Sequence, residues 1–350
     1  MKLHLKYKCI LPSAIFLLLT YYIYSQYFAA SFKHTSHQKS KKEPVAEATS
    51  YSKLSKINES IGSQGSDLMS IKSENNANTL KKISWYCESD AHLRELPIPT
   101  RMYNIPFHNL SLTLIAKVAS TSWVAFLAQT SLSQCMVHLD KPSVGYASLH
   151  QCVKANLDTS SDNRRDNIRV VFVRDPWKRL VSVYKDKIVK QRFVQAASCY
   201  TRWNISRESN AESKNNPNLS FIQFLTCISE MGRNNPNWLD PHYRPQYLMH
   251  GPCSAGYTHI GKLEDLSNDF VYIMKSAQPS ISDKKLAEYK NIFFGGPRRP
   301  WEVINDGEKS KKYQQYYADV SNDLMAQLQD IYKWDVMLYG YKLHPLTPVS

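Results

Sequence analysis

Residues 168–188 read IRVVFVRDPWKRLVSVYKDKI. Ile168 to Val173 is a nearly unbroken apolar, β-branched run, the pattern of a strand covered on both faces of a parallel sheet. Arg174 ends it. Asp175 is a good N-cap, Pro176 suits the first helical position, and Trp177, Leu180, Val181, Tyr184 and Ile188 return at helical spacing. Strand, tight turn and helix follow one another, with Arg174 at the carboxyl end of the strand. Helix-terminal amides point at whatever sits there, so an anion is the natural occupant. Arg179 and Ser182 lie on one helix face, and a phosphate would meet a guanidinium, a hydroxyl and a helix terminus together.

A second unit of the same kind lies upstream, SLTLIAKVASTSWVAFLAQTSL at 111–132. Leu112 to Ala116 is strand-like, Lys117 to Ser122 is small and hydroxyl-rich, and Trp123, Phe126 and Leu127 open a helix face. Lys117, Val118, Ala119, Ser120, Thr121 and Ser122 have the make-up of a phosphate cradle: one ammonium, several hydroxyls and loop amides at a helix start. The loop has no glycine, which separates it from the common nucleotide-triphosphate loop. A spacing match to that loop at 256–262 is rejected, because Leu263 stands where a magnesium-binding Ser or Thr is required. Residues 257–263 read instead as a further strand of the sheet, leading into a helix that bears Leu266, Phe270, Ile273 and Met274.

The chain carries a formal net charge of +14. Lys2, Lys6 and Lys8 precede a run from Cys9 to Phe32 without any Asp, Glu, Lys or Arg. That pattern predicts a cytoplasmic tail at 1–8 and a single-pass signal anchor at 9–30, with tyrosines at the far interface; a cleaved signal peptide is the rival reading. Residues 31–83, rich in Ser, Lys, Asn and Glu, read as a flexible stem, and 84–350 as one luminal domain. Residues 1–83 hold 12 lysines against 5 acidic residues, so half of the net charge belongs to anchor and stem and the domain is only moderately basic. This balance agrees with anionic ligands without naming them.

Six of the seven cysteines lie beyond residue 83, an even number that suggests disulfides in an oxidising lumen, with the pairing left open. Asn58, Asn109, Asn204 and Asn218 each begin a glycosylation sequon. No cysteine spacing indicates zinc, and no metal site is expected. Residues 191–220 read as a polar insertion. Arg298, Arg299, Lys309, Lys311 and Lys312 form a late basic stretch. Tyr313, Tyr317, Val320, Leu324, Leu328 and Ile331 read as the core face of a C-terminal helix.

KVASTSW at 117–123 resembles the 5'-phosphosulfate-binding motif of the Golgi carbohydrate sulfotransferases, and RDPWKRLVSVYKDK at 174–187 resembles their 3'-phosphate-binding motif. The similarity is greatest to the branch containing chondroitin and dermatan 4-O-sulfotransferases. It extends through DPHYRPQYLMHGPC at 240–253, YTHIGKLEDLSNDFVYIM at 257–274 and IYKWDVMLYGY at 331–341. The resemblance implies an α/β fold with a parallel sheet flanked by helices, of P-loop nucleotide-kinase-like topology, after the transmembrane helix. It also implies transfer of a sulfuryl group from 3'-phosphoadenosine 5'-phosphosulfate to a glycan hydroxyl, at a Golgi membrane, with neither metal nor nucleic acid involved.

On this reading Lys117 to Trp123 receive the 5'-phosphosulfate. Arg174, Asp175, Pro176 and Ser182 receive the 3'-phosphate, with Arg179 in support. The family commonly has Cys and Asn where this chain has Ser120 and Ser122, and a cysteine where it has His250. An acceptor hydroxyl must lose a proton, and His242, oriented by Asp240 or another carboxylate, is the favoured base. His138 and His150 are its rivals. The alternatives to an enzyme of this kind are a catalytically silent glycan-binding paralogue and a Golgi glycosyltransferase, the latter disfavoured by the absence of an Asp-x-Asp triplet.

Overall fold

The computed structural model describes residues 61–97, 102–138, 145–157, 167–189, 199, 219–295 and 313–343. The predicted tail and anchor, the basic stretch at 298–312 and most of the polar insertion lie outside them. Among the described residues no helix is long and apolar enough to cross a membrane.

The sheet has four strands in the order β1 (Met102–Ile105), β2 (Leu110–Thr113), β3 (Ile168–Val173) and β4 (His259–Lys262). β2, β3 and β4 are parallel, with Leu112 opposite Val170 and Val171 opposite Ile260. The expectation of a wholly parallel sheet needs one correction. β1 runs antiparallel to β2, Tyr103 facing Leu112. Its cause is local, since the link through Pro106–His108 and Asn109 is too short for a crossover. Asn109 takes φ 51° at that corner.

Helices α2 (Ser120–Thr130) and α3 (Gly145–Asn156) follow β2, and α4 (Pro176–Val183) follows β3, continuing as a wider π turn over Tyr184–Val189. Then come α5 (Phe221–Asn234), the single turn α6 (Tyr247–His250), α7 (Leu266–Ala277) after β4, α8 (Asp283–Gly295), α9 (Asn322–Ile331) and α10 (Lys333–Tyr339). One core packs Trp123, Phe126, Phe172, Phe270 and Phe293, with Trp123 close to each of the other four rings. A second gathers Trp177, Phe224, Tyr243, Leu328 and Tyr332 around α4, α5 and α9.

Three disulfides resolve the open pairing: Cys87–Cys253, Cys135–Cys152 and Cys199–Cys227. His250 is fully buried beside Tyr339, whose hydroxyl meets its Nε2. Burial lowers this imidazole to about 3, so it is neutral in the folded protein.

Residues 61–83 of the expected stem are helical. Ile61–Ser89 is a helix, α1, that packs on β4, α7 and α10. Asn76 donates from Nδ2 to the Thr258 carbonyl (2.8 Å) and accepts at Oδ1 from the Ile260 amide (3.0 Å), covering backbone groups on the outer edge of the sheet. Lys72 pairs with Asp265 and Asp269, Ile83 is buried, and Cys87 bonds to Cys253. The inward face is therefore partly polar, which is why its hydrophobic periodicity is weak. Helix α1 thus packs with the domain expected to begin at residue 84.

The predicted C-terminal stripe is core, but it is not one helix. Tyr313–Tyr316 forms a short 3-10 turn, and α9 restarts where the Ser321 hydroxyl accepts from the Leu324 amide. The predicted strand at 257–263 is β4 and the helix after it is α7.

Candidate active site

The loop between β2 and α2 brings Lys117 to the carboxyl end of the sheet. Lys117 (φ 68°) and Ala119 (φ 54°) both adopt left-handed backbone, which non-glycine residues reach only at a cost of about 1 to 2 kcal/mol each. Successive residues of opposite hand turn backbone N–H groups toward a common point, an anion-binding geometry. Ala119 has no side-chain oxygen, and the start of α2 carries no side-chain cap. Val118 and Trp123 point into the core, with 2% and 1% of their surface exposed, so they contribute backbone only.

Beside this loop, Arg174 donates from one terminal nitrogen to the Lys117 carbonyl at 3.2 Å. Its Nε is buried with no hydrogen-bond partner among the described residues. A half-buried guanidinium with an unmatched Nε donor is chemically suited to an anionic oxygen. Burial pulls it below its ordinary value, while Glu264 and Asp175 oppose that. The Arg174 backbone is pinned twice by Gln246, which accepts from its amide (2.9 Å) and donates to its carbonyl (2.7 Å). Gln246 and Tyr247 in turn donate their amides to buried Asp335, each at 2.8 Å. Ser182 lies half-buried two turns along α4.

Arg179 differs in kind from Arg174. It is 1% exposed, and its guanidinium donates to the carbonyls of Ala116 (3.2 Å), Pro241 (3.0 Å) and Arg244 (2.7 Å). Two of these are the carbonyls immediately before Lys117 and before His242. One guanidinium thus ties both segments together. His242 is half-buried, and its Nδ1 meets Asp240 Oδ1 at 2.7 Å while its amide donates to the same oxygen at 2.8 Å. Burial pushes the Asp240 carboxyl up, but the bonds from His242 and the charges of His242 and Arg244 outweigh it and hold it below the usual range. In the neutral ring, an Nδ1–H donated to Asp240 would leave the lone pair on Nε2.

A family model described as the sulfotransferase family matches residues 101–342, well over half of the chain. The chain belongs to the sulfotransferase family. Curated relatives include carbohydrate sulfotransferase 11 of Rattus norvegicus, 23% identical over 248 residues covering 67% of this chain and 65% of the relative. Carbohydrate sulfotransferase 10 of Gallus gallus is 25% identical over 268 residues (69% and 67%), and that of Homo sapiens 25% over 286 residues (75% and 74%). The chain spans just under two thirds of the length of the rat relative. No solved structure matches it.

Within this chain the residues expected at the donor site divide in two. Lys117, the backbone of 118–122 and Arg174 are brought together, and Ser182 lies on the helix beside them. Asp175 is the N-cap of α4: its Oδ1 accepts from the Trp177 amide (2.9 Å) and the Lys178 amide (3.1 Å). The carboxylate itself therefore occupies the helix terminus expected to face a phosphate. Pro176 and Trp123 are buried, and the Arg179 guanidinium is taken up by three backbone carbonyls. His150 lies half-buried on α3, and the side chain of His138 lies outside the described residues. Asn109 is exposed, with Nδ2 donating to the Ala277 carbonyl at 3.1 Å. Asn58, Asn204 and Asn218 lie outside the described residues. Among the described residues no group of His, Cys, Asp or Glu has the arrangement of a metal site.

Sequence reasoning missed Gln246, Asp335 and Asp186. The first two stand in segments whose resemblance was visible, but a supporting role has no spacing signature. Asp186 accepts from the Lys117 ammonium at 2.7 Å and lies four residues beyond Ser182, a helical interval that was available to be read.

Proposed function

We propose that this chain transfers a sulfuryl group from 3'-phosphoadenosine 5'-phosphosulfate to a hydroxyl of a glycan, either a chondroitin- or dermatan-like glycosaminoglycan or a glycoprotein glycan. The observation that carries the reading is the Arg179 guanidinium, which holds the carbonyls of Ala116 and Pro241 and so places the approaches to Lys117 and His242 on one framework. The names of the relatives, carbohydrate sulfotransferases 10 and 11, support it.

The donor fits the residues present. The left-handed loop, the uncapped start of α2 and the Lys117 ammonium suit a 5'-phosphosulfate; the unmatched Nε of Arg174 and the Ser182 hydroxyl suit a 3'-phosphate. Lys117 stabilises the negative charge that grows on the bridging oxygen as the sulfur–oxygen bond breaks, an effect worth about 3 to 4 kcal/mol for a well-placed donor. His242 Nε2 takes the proton of the acceptor hydroxyl as its oxygen bonds to sulfur, and Asp240 holds the ring and stabilises the imidazolium. Arg174 and Ser182 hold the far end of the nucleotide and set the distance between sulfur and acceptor.

The run at 9–30 serves as a single-pass anchor holding the domain in the Golgi lumen, with residues 31–60 as the stem. The test uses the full chain in detergent with radiolabelled donor and a panel of desulfated glycosaminoglycans and glycoprotein glycans. Label entering one acceptor class, lost in Lys117→Ala and His242→Ala, is the expected result. Binding of glycan without binding of 3'-phosphoadenosine 5'-phosphate would instead establish a silent glycan-binding protein.

A further inference from the structure

The Lys117 ammonium lies against a carboxylate that this mechanism does not use. Asp186 Oδ2 accepts from Lys117 Nζ at 2.7 Å, with only 17% and 21% of the two side chains exposed. Lys187 approaches the same oxygen at 3.5 Å. Asp186 sits on the π turn that continues α4, a wider turn of a kind often found at functional sites. The helical run that carries Ser182 therefore also carries the counterion of Lys117. A carboxylate beside an anion-binding lysine repels the anion, so donor affinity alone does not account for it.

Two physical needs do account for it. A half-buried lysine on a flexible four-carbon stem has to be held in one direction, and an ammonium out of water has to be kept charged. Burial lowers the Lys117 ammonium from its ordinary value; Asp186 pulls it back up, while Lys187 and Arg174 push it down. Among the described residues those three groups, from the π turn and from the end of β3, are the charges that act on it most.

We propose that Asp186 is a positioning residue for Lys117: it takes one of the three ammonium N–H groups, directs the other two toward the donor's leaving oxygen, and keeps the ammonium charged while that oxygen departs. The proposal deepens the donor reading above and rests on it.

The experiment compares wild type with Asp186→Asn and Asp186→Glu by three readouts. The first is pH-dependent acylation of Lys117 followed by mass spectrometry, without nucleotide. In Asp186→Asn the pH at which Lys117 becomes reactive falls by about one unit or more, and in Asp186→Glu it returns toward wild type. The second is turnover: kcat falls about 10-fold or more in Asp186→Asn, while KM for the donor stays within about 3-fold or drops, because a misaimed group costs rate and a lost negative charge does not weaken anion binding. The third is thermal melting, which separates these effects from unfolding.

An unchanged Lys117 labelling profile in folded Asp186→Asn overturns the proposal whatever the turnover. So does a rise in donor KM with kcat unchanged, which would make Asp186 part of donor binding. A shifted profile in a protein that binds no 3'-phosphoadenosine 5'-phosphate supports the pairing and overturns the donor reading instead.

Discussion

The two strand-loop-helix corners look alike in sequence and solve the same problem with opposite means. At the β2–α2 corner no side chain caps the helix, two non-glycine residues take left-handed backbone, and backbone amides with one lysine are what the corner would offer an anion. At the β3–α4 corner Asp175 caps the helix with its own carboxylate, and the cation comes from Arg174 at the strand end, fixed through Gln246 and Asp335. The lesson is that a strand followed by a helix does not by itself make an anion site of the helix terminus. What decides is whether the chain's own side chain fills it first.

The contrast can be broken most sharply by removing the two cations. On the proposed mechanism Lys117→Ala removes charge stabilisation at the leaving oxygen, and kcat should fall about 100- to 1,000-fold with a smaller change in donor KM. On the same mechanism Arg174→Ala removes a charge-assisted contact worth about 1.5 to 3 kcal/mol, so affinity for 3'-phosphoadenosine 5'-phosphate should fall about 10- to 150-fold in calorimetry. Equal losses of kcat and affinity in both variants would show that the corners do not divide the work in this way.

A smaller effect sharpens the capping difference. Asp175→Ala removes the acceptor for the Trp177 and Lys178 amides and should cost about 0.5 to 2 kcal/mol of stability, measured by urea denaturation. It also removes a carboxylate near Arg174 and opens the α4 terminus, so nucleotide affinity should hold or rise. A fall in affinity larger than the loss of stability would mean that Asp175 contacts the donor after all.

The Asp175 cap was legible because Asp before Pro at the end of an apolar run leaves few local alternatives. Strand β3, strand β4 and both corners were legible for similar reasons, each carrying a local periodicity. Arg174 and Arg179 are the same residue type five positions apart, yet one has an unmatched buried donor and the other is spent on three carbonyls. Composition cannot separate them, because the acceptors of Arg179 come from residues 116, 241 and 244. Helix α1 was illegible for a related reason. Its inward positions include Lys72 and Asn76, whose partners lie some 180 to 200 residues away and turn a polar stripe into a docking face. Local signals report elements; tertiary polar partners, which fix the supports of the site, leave no local mark.

The smallest effect concerns the loop itself. Ala119 sits at φ 54°, ψ 16°, where a Cβ costs about 1 to 2 kcal/mol relative to glycine. Glycine in exchange loses about 0.5 to 1 kcal/mol more chain entropy on folding. The first term is the larger, so Ala119→Gly should stabilise the protein slightly, by about 0.5 to 1 kcal/mol, seen as a small rise in melting temperature. The sequence nevertheless carries alanine there, at a position that caps α2 without offering a side-chain oxygen. If the strain holds the amides aimed at the donor, the same variant should bind 3'-phosphoadenosine 5'-phosphate somewhat more weakly while melting higher, a stability gain traded against preorganisation. A rise in both stability and affinity would leave the left-handed backbone at Ala119 with no role in the cradle. The β2–α2 corner would then depend on Lys117 alone, much as the β3–α4 corner depends on Arg174.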